Sequence, residues 1–287
     1  MTRVRMNTKT KLAIARSAYV PISFARRVAG FGDVVRVRRN GFTWELDLGE
    51  GIEFTIYLLG AFERETMRAY TRVLRPGDVV LDIGAHVGAH TLPMARCVGA
   101  EGRVIAIEPT TSAFRKLTKN VAANPSICDR VQAVQAYLIG SGDKRSATPS
   151  GGLFSSWPLR RAEDLHPIHR GQRASIEGAE RVTIDALLER LAIPKVHFVK
   201  MDIDGVECAV LSGAKHLLEQ HRPRFIMELL PYGLEEHGAS LSELVGIFHA
   251  HGYTFTDLHG VPLPRNVADL AATIPVGGSR NVLAFPQ

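Results

Sequence analysis

The sequence is poor in cysteine: Cys97, Cys128 and Cys208 lie far apart in 287 residues. An odd, scattered set excludes a disulfide framework and a zinc knuckle, and a reducing, cytoplasmic setting is the expectation. No apolar run is long enough to span a membrane. The stretch from Leu12 to Phe24 is partly apolar, but Arg16 and Pro21 interrupt it, so it also makes a poor signal peptide. Neither G-x-S-x-G nor a P-loop occurs, which leaves hydrolase and NTPase readings without support.

Acidic residues are missing from the first 30 positions, which hold Arg3, Arg5, Lys9, Lys11, Arg16, Arg26 and Arg27. The net charge of +6 resides there, because the rest of the chain has 28 basic against 29 acidic residues. A basic arm of residues 1–30 on a near-neutral body argues against a nucleic-acid partner. The arm is expected to be solvated or frayed, with peripheral contact to an acidic membrane surface as the alternative. What the chain does have is an ordinary globular make-up, 45% hydrophobic and 22% charged, enough for one α/β domain with decorations.

Residues 31–76 read as a β-rich lead-in followed by a helix. Strands are expected at Val34 to Val37, Phe42 to Leu48 and Phe54 to Leu58, punctuated by Asn40-Gly41 and Gly49-Glu50-Gly51. Glu63 to Leu74 reads as the helix, stopped by Pro76-Gly77. From residue 77 to 287 short apolar runs alternate with helical patterns. The runs are Val79–Ile83, Val104–Glu108, Val131–Ala136, His197–Asp202, Phe225–Leu229, Tyr253–Leu258 and Asn281–Phe285. Helices are expected at Ala113–Ala123, Ile184–Leu191, Glu207–Gln220 and Leu241–His251. Continuous apolar strands alternating with helices predict a seven-stranded, mostly parallel sheet covered on both faces, with an antiparallel edge hairpin. Residues 140–181 lack periodicity and read as an irregular insertion, a candidate substrate lid.

Ligands of such sheets bind at the carboxyl ends of the strands. The first core strand ends Asp82-Ile83-Gly84-Ala85-His86-Val87-Gly88. Its two glycines allow a tight turn and close approach of backbone to ligand, and a helix starting near His90 aims its N–H groups at the same place. Glu108 ends the next strand and can accept hydrogen bonds from both ribose hydroxyls. A dinucleotide fingerprint needs G-x-G-x-x-G, and His86 holds the middle position. S-adenosylmethionine (SAM) carries no phosphate and a positive sulfonium, which suits the acid Asp82.

A second constellation follows the fourth strand. Lys200 and Asp202 share a strand face. Asp202 is the candidate acid–base group for an acceptor hydroxyl, and Lys200 its partner. Asp204 and Glu207 are spaced as a capping box for the next helix. Glu228 ends the fifth strand and is expected to line the same cleft. A divalent metal between Asp202, Asp204 and Glu228 is the alternative, and no metal is the preferred reading. His166-Pro167-Ile168-His169 has ligand spacing but no cysteine nearby, so no zinc site is expected. Trp157 either stacks on a substrate or anchors its loop.

These residues resemble the FkbM family of SAM-dependent methyltransferases. The likeness is carried by Gly60-Ala61-Phe62-Glu63, by Pro76 to Gly88, by Glu108-Pro109 with the following helix, and by Thr183-Ile184-Asp185 leading to Phe198 through Glu207. It implies a Rossmann-like class I methyltransferase fold and O-methylation of a sugar, glycolipid or secondary-metabolite hydroxyl. It also implies that Asp82, Gly84, Gly88 and Glu108 face SAM, and the same stretches add Glu63, Ala85, His86 and Pro109 to the candidate cofactor set. Trp157, Asp204 and Glu228 are the candidate substrate residues. His86 stands where the family often has Asn, and Asp204 where it has Glu. A small-molecule, glycan or lipid acceptor is expected. The rival readings are a nucleotide-dependent oxidoreductase, disfavoured by the missing glycine, and a non-catalytic SAM-binding module.

Overall fold

The apolar runs meet in the computed structural model, which describes residues 8–142, 153–160, 165–166 and 171–287. The chain opens with α1 (Thr8–Val28) and the hairpin β1 (Val34–Arg39) and β2 (Phe42–Asp47), then α2 (Gly51–Leu59) and α3 (Arg64–Val73). The core follows as β3 (Val79–Ile83), α4 (Thr91–Cys97), β4 (Arg103–Ile107), α5 (Thr111–Ala122) and β5 (Val131–Val134). Short strands β6 (Ala136–Leu138), β7 (Leu153–Ser156), β8 (Gln172–Ala174) and β9 (Glu180–Val182) lead to α6 (Ile184–Arg190), β10 (Phe198–Met201) and α7 (Glu207–Ser212). The chain ends with β11 (Arg224–Leu229), α8 (Pro231–Glu236), α9 (Leu241–Ala250), β12 (Tyr253–Thr256), α10 (Val267–Ala272) and β13 (Arg280–Pro286).

The main sheet has seven strands in the order β12-β13-β11-β10-β3-β4-β5. The five strands from β11 to β5 are parallel, and β13 inserts antiparallel between β11 and β12. This is the Rossmann-like α/β sheet expected. It separates two cores. Leu81 and Ile83 of β3, with Val199 and Met201 of β10, face a core that includes residues of α6, α7 and α9. Val80 and Phe198 face the other, with residues of α1 to α5 and the β1–β2 hairpin. Alternation along the strands then puts Asp82 and Lys200 on the side of Val80 and Phe198.

Three local expectations are corrected. Phe54 to Leu58 is helical, because Gly60 closes α2 in a left-handed conformation and the buried Glu53 reaches back to the Asp47 N–H at 2.6 Å. The alternating apolar residues there suit a strand or a short buried helix equally, and the caps decide. The helix expected over Glu207–Gln220 breaks at Gly213, where a Cβ would lie 2.7 Å from the Ile139 carbonyl oxygen. Asp185 caps the second piece by accepting from the N–H groups of His216 and Leu217 at 2.8 and 3.0 Å, and a π-helical turn follows at Leu217–His221. The basic arm is not frayed over residues 13–28. Tyr19 of α1 is 4% exposed and packs edge-on against Phe54 with ring centres 5.7 Å apart. The described parts of the insertion pair as β7 with β8, while residues 143–152, 161–164 and 167–170, including His169, lie outside the described residues.

Candidate functional site

The corner after β3 is shaped by glycine. Gly84 has φ +77°, and a Cβ there would lie 2.1 Å from the backbone oxygen of Asp202. The end of β3 and the end of β10 touch through this missing side chain. The N–H groups of Gly84 and Ala85 both donate to the Ile107 carbonyl at 3.0 Å, tying the corner to β4. His86 (φ 49°) and Gly88 (φ 92°) complete the turn, and the Asn120 amide of α5 holds it by donating to the Val87 carbonyl at 3.0 Å.

Asp82 is fully buried. Its Oδ2 accepts from the Thr91 hydroxyl at 2.5 Å, and its Oδ1 has no hydrogen-bond partner among the described residues. Oδ1 instead lies 3.7 Å from the Lys200 ammonium. Burial raises the Asp82 pKa, with Lys200 and Thr91 opposing that rise. Glu108 is 3% exposed at the end of β4. Its Oε2 accepts from the His86 N–H at 2.9 Å, and its Oε1 accepts from both the N–H and the hydroxyl of Thr110. Three of the carboxylate's roughly four acceptor positions are therefore taken. One remains, on Oε2, where the sequence suggested room for two hydroxyls. Pro109 is half-buried, and Ser175 and Glu177 of the insertion accept from the N–H and hydroxyl of Thr111 beside it.

Lys200 and Asp202 lie side by side at the end of β10, as expected from their spacing. The ammonium of Lys200, 4% exposed, is 3.4 Å from Asp202 Oδ2 and donates to the Gly84 carbonyl at 3.1 Å. Its pKa is raised: the carboxylates of Asp202, Asp82 and Glu63 outweigh the burial that opposes them. Asp202 keeps a side chain 36% exposed, so it is the member of this pair that solvent reaches.

Beyond it lies a narrow cleft in which Glu63, Thr66, Lys200, Asp202, Glu228 and Asn281 share the lining with Met201, Ile226 and Met227. Glu63, grouped by sequence with the cofactor residues, lines this cleft. It precedes α3 in a left-handed conformation (φ 42°), with Oε2 3.4 Å from the Asn281 amide and 3.8 Å from His90 Nε2. Burial holds His90 neutral, so that last approach is not an ion pair. Carboxylate oxygens of Asp202, Asp204 and Glu228 come within 4.8 Å of one another. Desolvation and the neighbouring carboxylates of Asp202 and Glu207 push Asp204 up to about 7, although the residue keeps an exposed surface. Burial followed by the same neighbour raises Glu228 well above the usual carboxylate range, against a hydrogen bond from the Ser279 hydroxyl.

The capping box does not form. Asp204 and Gly205 take positive φ values of 54° and 109°, and Val206 occupies the cap position of α7. Gly205 is pressed against the backbone of Gly233, 2.2 Å from where its Cβ would be. Glu207 instead accepts from the Gly205 N–H at 3.3 Å. Trp157 anchors its loop: the ring packs on Phe62 with centres 6.3 Å apart, and its carbonyl accepts from the Gly51 N–H at 2.8 Å. Thr66, Thr91, Ser279 and Asn281 went unnoticed in the sequence. Only Thr91, three residues past Gly88 at the start of α4, carried a local signal.

A family model described as the methyltransferase FkbM domain matches residues 82–255. The hexuronic acid methyltransferase AglP of Haloferax volcanii is 27% identical over 161 residues, which covers 55% of this chain and 58% of AglP. The 23S rRNA (uracil(1939)-C(5))-methyltransferase RlmD of Acinetobacter baumannii is 39% identical over 51 residues, 18% of this chain and 11% of RlmD. The chain thus spans somewhat over half the length of the first relative and a small part of the second. Among solved structures, a SAM-dependent O-methyltransferase from Thermotoga maritima aligns with a TM-score of 0.41 at 12% identity, covering 91% of this chain and 80% of that one. A precorrin-6y C5,15-methyltransferase from Geobacter metallireducens aligns with a TM-score of 0.43 at 12% identity, covering 78% and 87%.

Proposed function

The chain belongs to the FkbM methyltransferase family, and from that premise we propose that it carries a methyl group from SAM to a hydroxyl of a glycan or glycolipid acceptor. The donor, when bound, supplies an electrophilic methyl group on a sulfonium. Two features of the corner support that fit. Asp82 Oδ1 is a buried acceptor that, beyond the Lys200 ammonium 3.7 Å away, has no hydrogen bond among the described residues, and so suits a cationic ligand. Glu108 Oε2 retains an acceptor position for a ribose hydroxyl at the end of the neighbouring strand. Gly84, Ala85, His86, Gly88 and Pro109 supply the backbone that the ligand would lie against.

The observation that carries the reaction type is the pair Lys200 and Asp202, one residue deep and one exposed, at the carboxyl end of β10 beside Gly84. Asp202 accepts the acceptor's hydroxyl proton as the oxygen forms its bond to the methyl carbon and the carbon–sulfur bond breaks. Such proton removal contributes roughly 10²–10⁴-fold. Lys200, held by Asp82 and the Gly84 carbonyl, fixes the Asp202 carboxylate toward the cleft.

The cleft's charge narrows the acceptor. Glu63 and Asp202 flank one buried ammonium, and Asp204 and Glu228, with raised carboxyl pKa values, add acid groups without another cation to balance them. An acceptor bearing its own carboxylate, such as the hexuronic acid in AglP's name, meets repulsion here, and so does a phosphate backbone. A neutral sugar ring does not, and Glu63, Thr66 and Asn281 offer it hydrogen-bonding partners. The test is methyl transfer from labelled SAM to a panel of neutral, acidic and amino sugars, free and lipid-linked. Transfer to neutral hydroxyls is expected. Binding of SAM with no transfer to any hydroxyl acceptor would return the chain to the binding-module reading.

A further inference from the structure

We propose that α1 is a membrane-docking helix that seats the enzyme on the surface of an anionic lipid bilayer. The helix has one face committed inward. Ala15, Ala18 and Ile22 pack on the core, and Tyr19 and Ser23 are buried. Both Tyr19 and Ser23 donate to Asp33, at 2.7 and 2.8 Å. The opposite face is apolar and fully in water. Ile14, Val20, Phe24 and Val28 are 53%, 62%, 69% and 74% exposed. Val20, Phe24 and Val28 recur every fourth residue and so form one row. Ala13, Pro21 and Ala25 are exposed around the row, and Ser17 is the polar residue among them. Phe31 and Val34, both 61% exposed, extend the apolar surface past the helix end.

A helix already anchored by one face and showing a second apolar face to solvent has an occupant for that second face. Charge identifies it. The first 32 residues hold seven basic side chains and no acid. Asp33, the first acid of the chain, is turned inward, where Arg160 also pairs with it at 3.2 Å. Arg27 lies 3.9 Å from Asp33 yet stays 68% exposed at the edge of the row, and Arg36 and Arg38 are exposed on β1 just beyond. An apolar row bordered by arginines matches the boundary between acyl chains and acidic headgroups, where such helices lie in the plane of the surface. No described helix is long and apolar enough to cross a membrane, in keeping with a helix that lies on one. The helix packs on α2, whose exposed Leu58 and Leu59 come four to five residues before Glu63 of the cleft.

The test is co-sedimentation of the full chain with vesicles of phosphatidylcholine alone or with 30% phosphatidylglycerol, at about 0.1 M salt. Wild type is expected to bind the acidic vesicles at least tenfold more strongly, and the triple variant Val20→Ser, Phe24→Ser, Val28→Ser to lose that binding. All three positions face water, so the variant should keep the wild-type melting temperature and turnover on a water-soluble acceptor. Equal binding by wild type and variant overturns the proposal. So does an absence of binding to acidic vesicles, or a wild-type dimer in light scattering that the same variant dissociates, because the face then belongs to a second copy.

Discussion

Lys200 stands directly opposite Asp82 in the parallel register of β10 and β3, its ammonium 3.7 Å from Asp82 Oδ1 and 3.4 Å from Asp202 Oδ2. One buried cation therefore joins the corner after β3 to the cleft beside β10. Lys200→Met leaves the buried Asp82 without its counter-charge. Loss of one partner of a buried pair costs about 3–5 kcal/mol. The variant should melt at clearly lower temperature, and an unchanged melting curve would show that Asp82 is carried protonated without Lys200.

Asp202→Asn should separate binding from chemistry. Its side chain is partly exposed, so the fold should tolerate the change, and SAM affinity in calorimetry should stay within a few-fold. Turnover should fall by roughly 10²–10⁴. Full turnover in this variant removes Asp202 from the proton path.

The two glycines of the corner should differ in cost. Both have positive φ, which costs an alanine roughly 1–2 kcal/mol. Gly84→Ala adds a Cβ 2.1 Å from the backbone oxygen of Asp202, which cannot yield without moving β10. Gly88→Ala meets the flexible tip of Leu117 at 3.1 Å. Gly84→Ala should therefore abolish SAM binding and lower stability well below Gly88→Ala. Equal melting temperatures for the two would contradict the contact between the strand ends.

Glu207 gives a pH signature. Burial pushes its carboxyl up to about 7 from an ordinary 4.5, and it is 2% exposed. Between those values the folded chain keeps a proton that the unfolded chain releases. Stability from this group is thus fully present below 4.5, declines as pH rises to 7, and stays level above. The size is about 3 kcal/mol at 1.4 kcal/mol per unit. Glu207→Gln should stabilise the protein at pH 8 and change little at pH 4.5. Equal effects at the two pH values would place the shift elsewhere.

Asp204 and Glu228 have raised carboxyl pKa values, so near neutrality the triad with Asp202 tends to hold protons. Turnover should then stay within about twofold on EDTA treatment. A tenfold loss restored by magnesium would assign the three converging acids to a cation.

The strands that build the sheet could be read from their apolar runs, and Lys200 beside Asp202 from a spacing of two, because burial and the pleat leave local marks in sequence. Asp82 at the strand end and Glu108 at the next were visible for the same reason. The helix at Gly51–Leu59 was not, since an alternating apolar stretch fits two backbones and the Gly60 cap and the Glu53–Asp47 contact decide. Glu63 could not be assigned to the cleft, because its neighbours Asn281 and Glu228 are more than 160 residues away in sequence.

By itself, then, the sequence determined which segments are strands of a covered parallel sheet and which acids end them, because solvent exclusion and strand alternation act on near neighbours. Only the tertiary structure decided that β13 inserts beside β11 to complete the cleft, and that α1 turns its apolar face outward. Those outcomes depend on which distant groups compete for the same hydrogen bonds and the same buried surface. Such competition is settled by packing and leaves no local pattern.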